Sequence, residues 1–295
     1  MRDALRRKSD FFALIREFFA SQGVVEVHTP KLLENPTTDV YIDSLSVEIN
    51  RGIGLSQMRY LHTSPELEMK KLISSGSGDI YQICTVFRDN EQGEQNTNEF
   101  SLLEYYRLDF DMHQLIDDVA NLLKKLGFAD TIRKISYAQA FLEFADIDIL
   151  NTDFITLKDI AKKHQLSSDF EWIEDLQIFL FTYLVEPKLA QIPICFVYDY
   201  PSGQSALAKV CAGVARRFEL YINGVEIANG YDELQTQGDY QTQFEREIKK
   251  RQLLKKQATA IDNKFLKHLD NPLPQCSGVA IGLDRMLSQI QKNAL

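Results

Sequence analysis

Asn223-Gly224 is the strongest short turn signal in the chain, and it brings two carboxylates together. A two-residue turn there joins strand-like runs at 216–222 and 225–229. It pairs Ile222 with Val225, Tyr221 with Glu226 and Glu219 with Ala228. Cross-strand partners share a face, so Glu219, Tyr221, Glu226 and Ala228 are expected to point the same way. The two carboxylates then sit diagonally, about 7 Å apart at Cα. Such a pair is either a solvated acidic face or a seat for a hard cation such as Mg²⁺, with phosphate oxygens completing its shell. Glu233 lies seven residues further on, beyond Gly230, where simple parity does not place it.

Two arginines follow apolar strand residues: Arg88 after Val86-Phe87, and Arg285 after Gly282-Leu283-Asp284. An arginine in that position is either an ion-pair partner or a bidentate clamp for phosphate. Along 100–108 the side chains alternate, so Phe100, Leu102, Glu104 and Tyr106 share one face. Two arginines, two co-facial carboxylates and a stacking aromatic together suggest a nucleoside triphosphate site.

The elements that must position these groups are legible in outline. Residues 3–22 have a helical apolar stripe at Phe11, Leu14, Ile15, Phe18 and Phe19. A short strand at 24–27 ends at Thr29-Pro30. A polar loop covers 31–39, and 40–50 is strand-like. Ser64-Pro65-Glu66 reads as N-cap, N1 and first-turn acid of a helix to about Ile73. Strands at 79–88 and 100–108 flank a polar loop, 89–99, that is long for a hairpin. An amphipathic helix covers 112–126. Residues 136–190 read as mainly helical, with helices near 156–165 and 172–186. Strands resume at 194–200, a polar helix follows at about 239–256, and a strand at 277–281 runs into a short helix. The expected class is α+β: one domain over 1–295, with a mostly antiparallel sheet, flanking helices and a helical insertion at about 136–190.

Composition bounds the function. The 295 residues are 44% hydrophobic and 25% charged, with a net charge of −9. That is ordinary globular composition. The acidic balance argues against a broad nucleic-acid footprint. No run approaches the ~18–20 apolar residues of a spanning helix, so no membrane association is expected. Cys84, Cys195, Cys211 and Cys276 form no C-x-x-C pair and read as reduced thiols of a cytoplasmic protein. Several signatures begin and fail. There is no P-loop, Gly52-Ile53-Gly54 lacks the third glycine of a dinucleotide fingerprint, and Gly203-Gln204-Ser205 lacks the second glycine of a nucleophile elbow. The five histidines show no zinc spacing.

Three ordered stretches carry a resemblance. Gly23–Pro30 resembles motif 1, Phe87-Arg88 through Glu99-Phe100 resembles motif 2, and Gly278–Arg285 resembles motif 3 of a class II aminoacyl-tRNA synthetase catalytic domain of the lysyl type. Thr63–Glu66, Leu103–Arg107, Arg217–Glu219 and Gly224–Gly230 are similar to the branch of that family that modifies elongation factor P. Only 22 residues precede motif 1, so no anticodon-binding domain and no tRNA anticodon binding are expected. Motif 1 implies a homodimer.

The resemblance implies roles for these residues. Arg88 and Arg285 would be catalytic, Arg88 on the ATP α-phosphate and Arg285 on the γ-phosphate. Phe100 and Arg285 would enclose the adenine. Asp89, Asn90, Thr97, Glu226, Ile227 and Gly282 would complete the ATP site. Glu219 and Glu226 would hold Mg²⁺. Ser64, Pro65, Glu66, Tyr106, Asn229, Glu233 and Ala280 would line the amino-acid pocket. Within it, Glu66 would take the amino group near the substrate carboxylate, and Tyr106 and Glu233 the distal ammonium. Ala280 stands where lysyl-tRNA synthetases usually carry glycine, and its extra methyl fits (R)-β-lysine. The implied reaction forms an acyl-adenylate from ATP and then transfers (R)-β-lysine to a lysine of elongation factor P. The alternatives are an α-lysine ligase acting on RNA or another acceptor, and a non-catalytic regulatory paralogue. Motif 2 departs from the family's usual F-R-N-E and N-P-E-F: here it reads Phe87-Arg88-Asp89-Asn90 and Thr97-Asn98-Glu99-Phe100.

Overall fold

A computed structural model describes residues 2–293, apart from 92, 94–96, 129–130 and 258. Helix α1 (Arg2–Ala20) buries Phe11, Ile15, Phe18 and Phe19 along one stripe. Strand β1 (Val25–Glu26) follows. Strands β2 (Leu32–Leu33), β3 (Ser46–Asn50) and β4 (Ser56–Leu61) make a small antiparallel sheet in the order β2-β4-β3. Helix α2 (Glu66–Ser74) leads to the antiparallel pair β5 (Ile80–Phe87) and β6 (Glu99–Leu108), and then to α3 (Met112–Lys125). An Asp111–Gln114 capping box starts α3.

Strand β7 (Arg133–Ser136) precedes the helical insertion: α4 (Tyr137–Ala145), α5 (Phe154–Lys163), α6 (Ile173–Leu180) and α7 (Glu186–Leu189). A π-turn at Phe181–Val185 joins α6 to α7. The remainder comprises β8 (Ile194–Pro201), β9 (Val210–Cys211), β10 (Val214–Ile222), β11 (Val225–Asp232), α8 (Gln237–Leu253), α9 (Asn263–His268), β12 (Cys276–Gly282) and α10 (Leu283–Asn293). The main sheet runs β1-β5-β6-β12-β11-β10-β8-β7, with β9 on β10. Its β1–β5 and β7–β8 contacts are parallel and the others antiparallel. The expected α+β class and insertion are both present.

Alternation assigns the two faces of the sheet. Leu103, Tyr105, Leu220, Val279 and Ile281 turn back into a core closed by α1, α3 and α10. The front face carries two further clusters. One packs the insertion, through Tyr137, Phe141 and Phe181, onto β8 and Tyr221. The other packs α8 and α9, through Tyr240, Phe244 and Phe265, around Tyr106 and Met69. Polar side chains occupy the sheet between them. Gln82, Glu104, Ala280, Asn229 and Glu219 are successive cross-strand partners over five strands. On β12 the residues in this front register are Gly278, Ala280 and Gly282, so the strand adds little bulk above the sheet.

No helix among the described residues is long and apolar enough to cross a membrane. Cys84, Cys195 and Cys276 are buried free thiols, and Cys211 is an exposed one.

Candidate active site

The Asn223-Gly224 turn forms as expected, with both residues at positive φ (51° and 76°), as a primed hairpin turn requires. Ile222 pairs with Val225 and Tyr221 with Glu226. The third expected pair is corrected. A register shift at Leu220/Tyr221 pairs Glu219 with Asn229 and Leu220 with Ala228. Ala228 therefore packs into the back core, and Asn229 takes its place on the front. A β-bulge inserts one residue and reverses parity beyond it, which strict alternation does not anticipate.

Glu219 and Glu226 keep the front face. The Glu219 carboxylate accepts hydrogen bonds from Tyr200 at 2.6 Å, Tyr221 at 2.5 Å and the Arg217 guanidinium. Arg217 also donates to Asn229 Oδ1 at 3.1 Å and lies 4.6 Å over the Tyr200 ring. Glu226 reaches solvent at the floor of the cleft. Desolvation by the surrounding protein, and then Glu219, push its carboxyl above the ordinary range, against Arg285, Arg217 and Arg88. A cation is the natural complement of that charge. Among the described residues no set of three or more His, Cys, Asp or Glu side chains converges as a metal cage. Two carboxylates alone suit Mg²⁺, which binds through one or two carboxylates plus phosphate and water.

Arg88 directly follows β5, with Nε 3.4 Å from the Thr63 carbonyl and its guanidinium 5.1 Å over the Phe100 ring. The divergent motif 2 residues brace this arginine. The Asn98 carbonyl accepts from the Arg88 amide at 2.9 Å, and the Asn98 side chain donates to the Arg88 carbonyl at 2.7 Å. Asp89 bridges to Asp43, and Asn90, at φ 61°, donates its amide to Asp89 at 2.9 Å. Thr97 turns its hydroxyl to the Glu99 carbonyl at 2.7 Å. Arg285 donates to the Glu226 carbonyl at 3.0 Å. Its neighbour Asp284 fastens the start of α10 to β6 by accepting from the Ser101 amide at 2.6 Å. Gly282 lies beside the Ile227 carbonyl. The Ile227 side chain is in the back core, so only its backbone faces this region. Arg88, Phe100, Glu226, Gly282 and Arg285 are thus drawn together. Asp89, Asn90 and Thr97 sit at the root of the 89–99 loop.

The pocket around Ser64, Glu66, Tyr106 and Glu233 is more heavily charged than expected. Ser64 Oγ accepts from the Glu66 amide at 3.0 Å and donates to Glu104 at 2.7 Å. The helix starts at Glu66 with Pro65 as its N-cap, one residue later than the sequence suggested. Tyr106 donates to the other Glu104 oxygen at 2.7 Å. The Lys70 ammonium lies 2.6 Å from both Glu66 and Glu233. Glu104, Glu233 and Lys70 are all at least 98% buried. Burial, then Glu66, raise the Glu104 carboxyl. Burial and Glu66 raise that of Glu233, against Lys70. Burial opposes the Lys70 charge, but Glu233 and Glu66 overcome it and hold the ammonium well above its usual range. Three carboxylates thus face one ammonium. Gly278 lies beneath: a Cβ there would be 2.3 Å from the Tyr106 ring and 2.7 Å from Glu233. Ala280 pairs with Glu104 and with Asn229.

Sequence reasoning gave no role to Lys70, Arg217 or Glu104. The i,i+4 spacing of Glu66 and Lys70 was the available signal for the first. The shared face with Phe100 and Tyr106 was the signal for Glu104.

The family model described as tRNA synthetases class II (D, K and N) matches residues 1–294. The chain belongs to this class II synthetase family. A Vibrio vulnificus (strain YJ016) protein named elongation factor P--(R)-beta-lysine ligase is 40% identical, over 97% of this chain and 90% of its own. Proteins of the same name from Edwardsiella ictaluri (strain 93-146) and Yersinia enterocolitica (serotype O:8 / biotype 1B) are 37% and 39% identical, each over 96% of this chain and 89% of their own.

Proposed function

We propose that the chain is an ATP-dependent, AMP-forming ligase that activates (R)-β-lysine and transfers it to a lysine side chain of elongation factor P. One observation carries the reading. A buried pocket with three carboxylates and a single lysine adjoins a cleft bearing two arginines, an aromatic ring and two more carboxylates. The first complements a substrate ammonium; the second complements a nucleoside triphosphate.

In the first step the amino-acid carboxylate attacks the α-phosphorus, and pyrophosphate leaves. Arg88 and Arg285 meet the charge on the phosphate oxygens, so the step is positioning and electrostatics with no general base. Glu219 and Glu226 would hold Mg²⁺, which supplies further neutralisation of phosphate charge. Phe100 and Arg285 would enclose the adenine. Tyr106, Glu104 and Glu233 would receive the distal ammonium, and Glu66 and Ser64 the amino group near the carboxylate. Asn229, held by Arg217, would orient the carboxylate end. The Ala280 methyl would favour an amino group one carbon further along. Pairing through Gly23–Pro30 would give a homodimer, and a cytoplasmic protein acceptor would put the enzyme in the cytoplasm.

The test is reconstitution with purified acceptor. Elongation factor P should gain one β-lysyl group on a lysine, seen by mass spectrometry, in a reaction that requires ATP and releases AMP. An unmodified acceptor alongside brisk adenylate formation would reassign the acceptor.

A further inference from the structure

A cavity of about 320 Å^3 adjoins the cleft. Its lining extends from Glu219, Glu226 and Asn229 to Tyr41, Glu247 and Lys250. Glu247, on α8, is 92% buried and has no part in the chemistry above. Its carboxylate accepts from Thr38 Oγ1 at 2.6 Å and from Gln243 Nε2 at 3.1 Å, both neutral donors. No ion pair to it forms among the described residues. The cations nearest along its own helix are committed elsewhere: Arg246 to Glu174 at 2.9 Å, Lys250 to Asp175 at 2.6 Å and Arg251 to Asp43 at 2.8 Å. Asp39, from the 34–43 loop, and Glu66, from α2, add like charge.

The walls of this cavity select a ligand class. Apart from Glu219 and Glu226, proposed above to hold Mg²⁺, Asp39, Glu174, Glu186 and Glu247 line it, and its three cations, Arg217, Arg246 and Lys250, are each paired with a carboxylate. The carboxylates left over draw a cation. Tyr41, Phe181 and Tyr231 supply aromatic faces suited to methylenes and an ammonium. We propose that the cavity admits the primary-ammonium side chain of the acceptor, and that Glu247 takes the proton this ammonium loses before its nitrogen attacks. The inference rests on the lysine acceptor of the preceding section.

The step balances. The acceptor R–NH₃⁺ gives one proton to the Glu247 carboxylate and becomes a neutral amine. The nitrogen lone pair forms a bond to the acyl carbon of the adenylate. The acyl C–O bond breaks, and its electron pair leaves with AMP. The nitrogen releases its second proton to water, yielding the amide. A free lysine amine has a pKa of about 10.4, so almost none is neutral at pH 7 without a proton acceptor. Burial, then Asp39, push the Glu247 carboxyl up to about 7, where a base is most useful at neutral pH.

The experiment measures the two half-reactions separately in Glu247→Gln. Amino-acid-dependent ATP–pyrophosphate exchange reads the first half-reaction, in which Glu247 has no part, and reports a folded site. Single-turnover transfer from preformed adenylate to elongation factor P reads the second. The inference expects exchange within about twofold of wild type and transfer slowed roughly 100-fold, the usual scale for losing a general base. The wild-type transfer rate should rise with pH through about 7, and E247Q should lose that limb. Thr38→Val, which removes a donor to the carboxylate, should move the limb to higher pH with transfer otherwise retained. Transfer by E247Q at the wild-type rate with an unchanged pH limb would overturn the inference. Equal loss of both half-reactions would also overturn it, because Glu247 would then serve activation. Absent exchange in the wild-type protein would overturn the ligase reading and this inference with it.

Discussion

Lys70 Nζ lies 2.6 Å from Glu233 Oε2, and neither side chain is more than 1% exposed. One member sits on α2 and the other just after β11, so this ion pair ties the first wall of the pocket to the last. Burial makes it costly to break. Lys70→Met would leave Glu233 and Glu66 without their cation and should destabilise the protein by about 3–5 kcal/mol. Lys70→Met combined with Glu233→Gln should recover part of that loss, because one orphaned charge is gone. Urea unfolding of wild type, both single variants and the double variant forms a double-mutant cycle. A cycle with no coupling energy would contradict the pairing.

Gly278 is the one position on β12 where a methyl group has no room. Its Cβ would meet the Tyr106 ring and Glu233 Oε1 at once. Both neighbours are buried, so neither can swing into solvent. Gly278→Ala should displace the groups proposed to receive the distal ammonium and raise the amino-acid KM in exchange by at least about tenfold. Overpacking of this kind also costs about 1–3 kcal/mol in stability. An unchanged KM would mean that the ammonium binds elsewhere. Gly282→Ala, at the Arg285 end of the same strand, adds a Cβ with only ordinary contacts, the nearest at 3.6 Å, and should leave the amino-acid KM unchanged.

Glu247 also makes a prediction about stability. Its carboxyl is raised in the folded protein to about 7, above its ordinary value of 4.5. A raised carboxyl favours folding while protonated. That contribution is complete below about pH 4.5 and is lost as pH rises through about 7. Glu247→Gln should therefore be more stable than wild type at pH 8, by up to about 3 kcal/mol. The difference should shrink toward acid. Thermal unfolding of both proteins at pH 5 and pH 8 decides it. Equal Tm differences at the two pH values would contradict a raised carboxyl.

Much of this site was legible because strands alternate. The common face of Phe100, Leu102, Glu104 and Tyr106 followed from parity on one uninterrupted strand, and Asn223-Gly224 fixed the turn between β10 and β11. The bulge at Leu220/Tyr221 was not legible. No residue type marks it, and it moved Ala228 to the core and Asn229 to the cleft. Parity could not place Glu233, which lies past the bulge and beyond the end of β11, and only the family resemblance pointed to it. Lys70 escaped because a lysine on a helix usually reads as a solvated residue. Only the fold, which sets α2 against Glu233, shows that it is buried. The small β2-β4-β3 sheet was half seen, since two of its strands are too short or too polar to show a period.

Arg285, proposed to bind the triphosphate, allows nucleotide binding to be tested apart from stability of the fold. It is part-exposed at the start of α10, while Asp284 and Met286 on either side anchor the helix. Arg285→Ala should keep the wild-type Tm within a few degrees and reduce ATP–pyrophosphate exchange at least about 100-fold, as loss of a charge-stabilising donor does. Retained exchange would remove the assignment of this arginine to the triphosphate.

The pocket between Glu66, Glu104 and Glu233 is proposed to activate a lysine-like acid through an adenylate. Amino-acid-dependent ATP–pyrophosphate exchange tests it most directly, with (R)-β-lysine, L-α-lysine and an uncharged amino acid compared in Mg²⁺ buffer. The highest kcat/KM is expected for (R)-β-lysine, with weaker exchange for L-α-lysine and none for the uncharged amino acid. Exchange with none of the three, in folded protein, would contradict it.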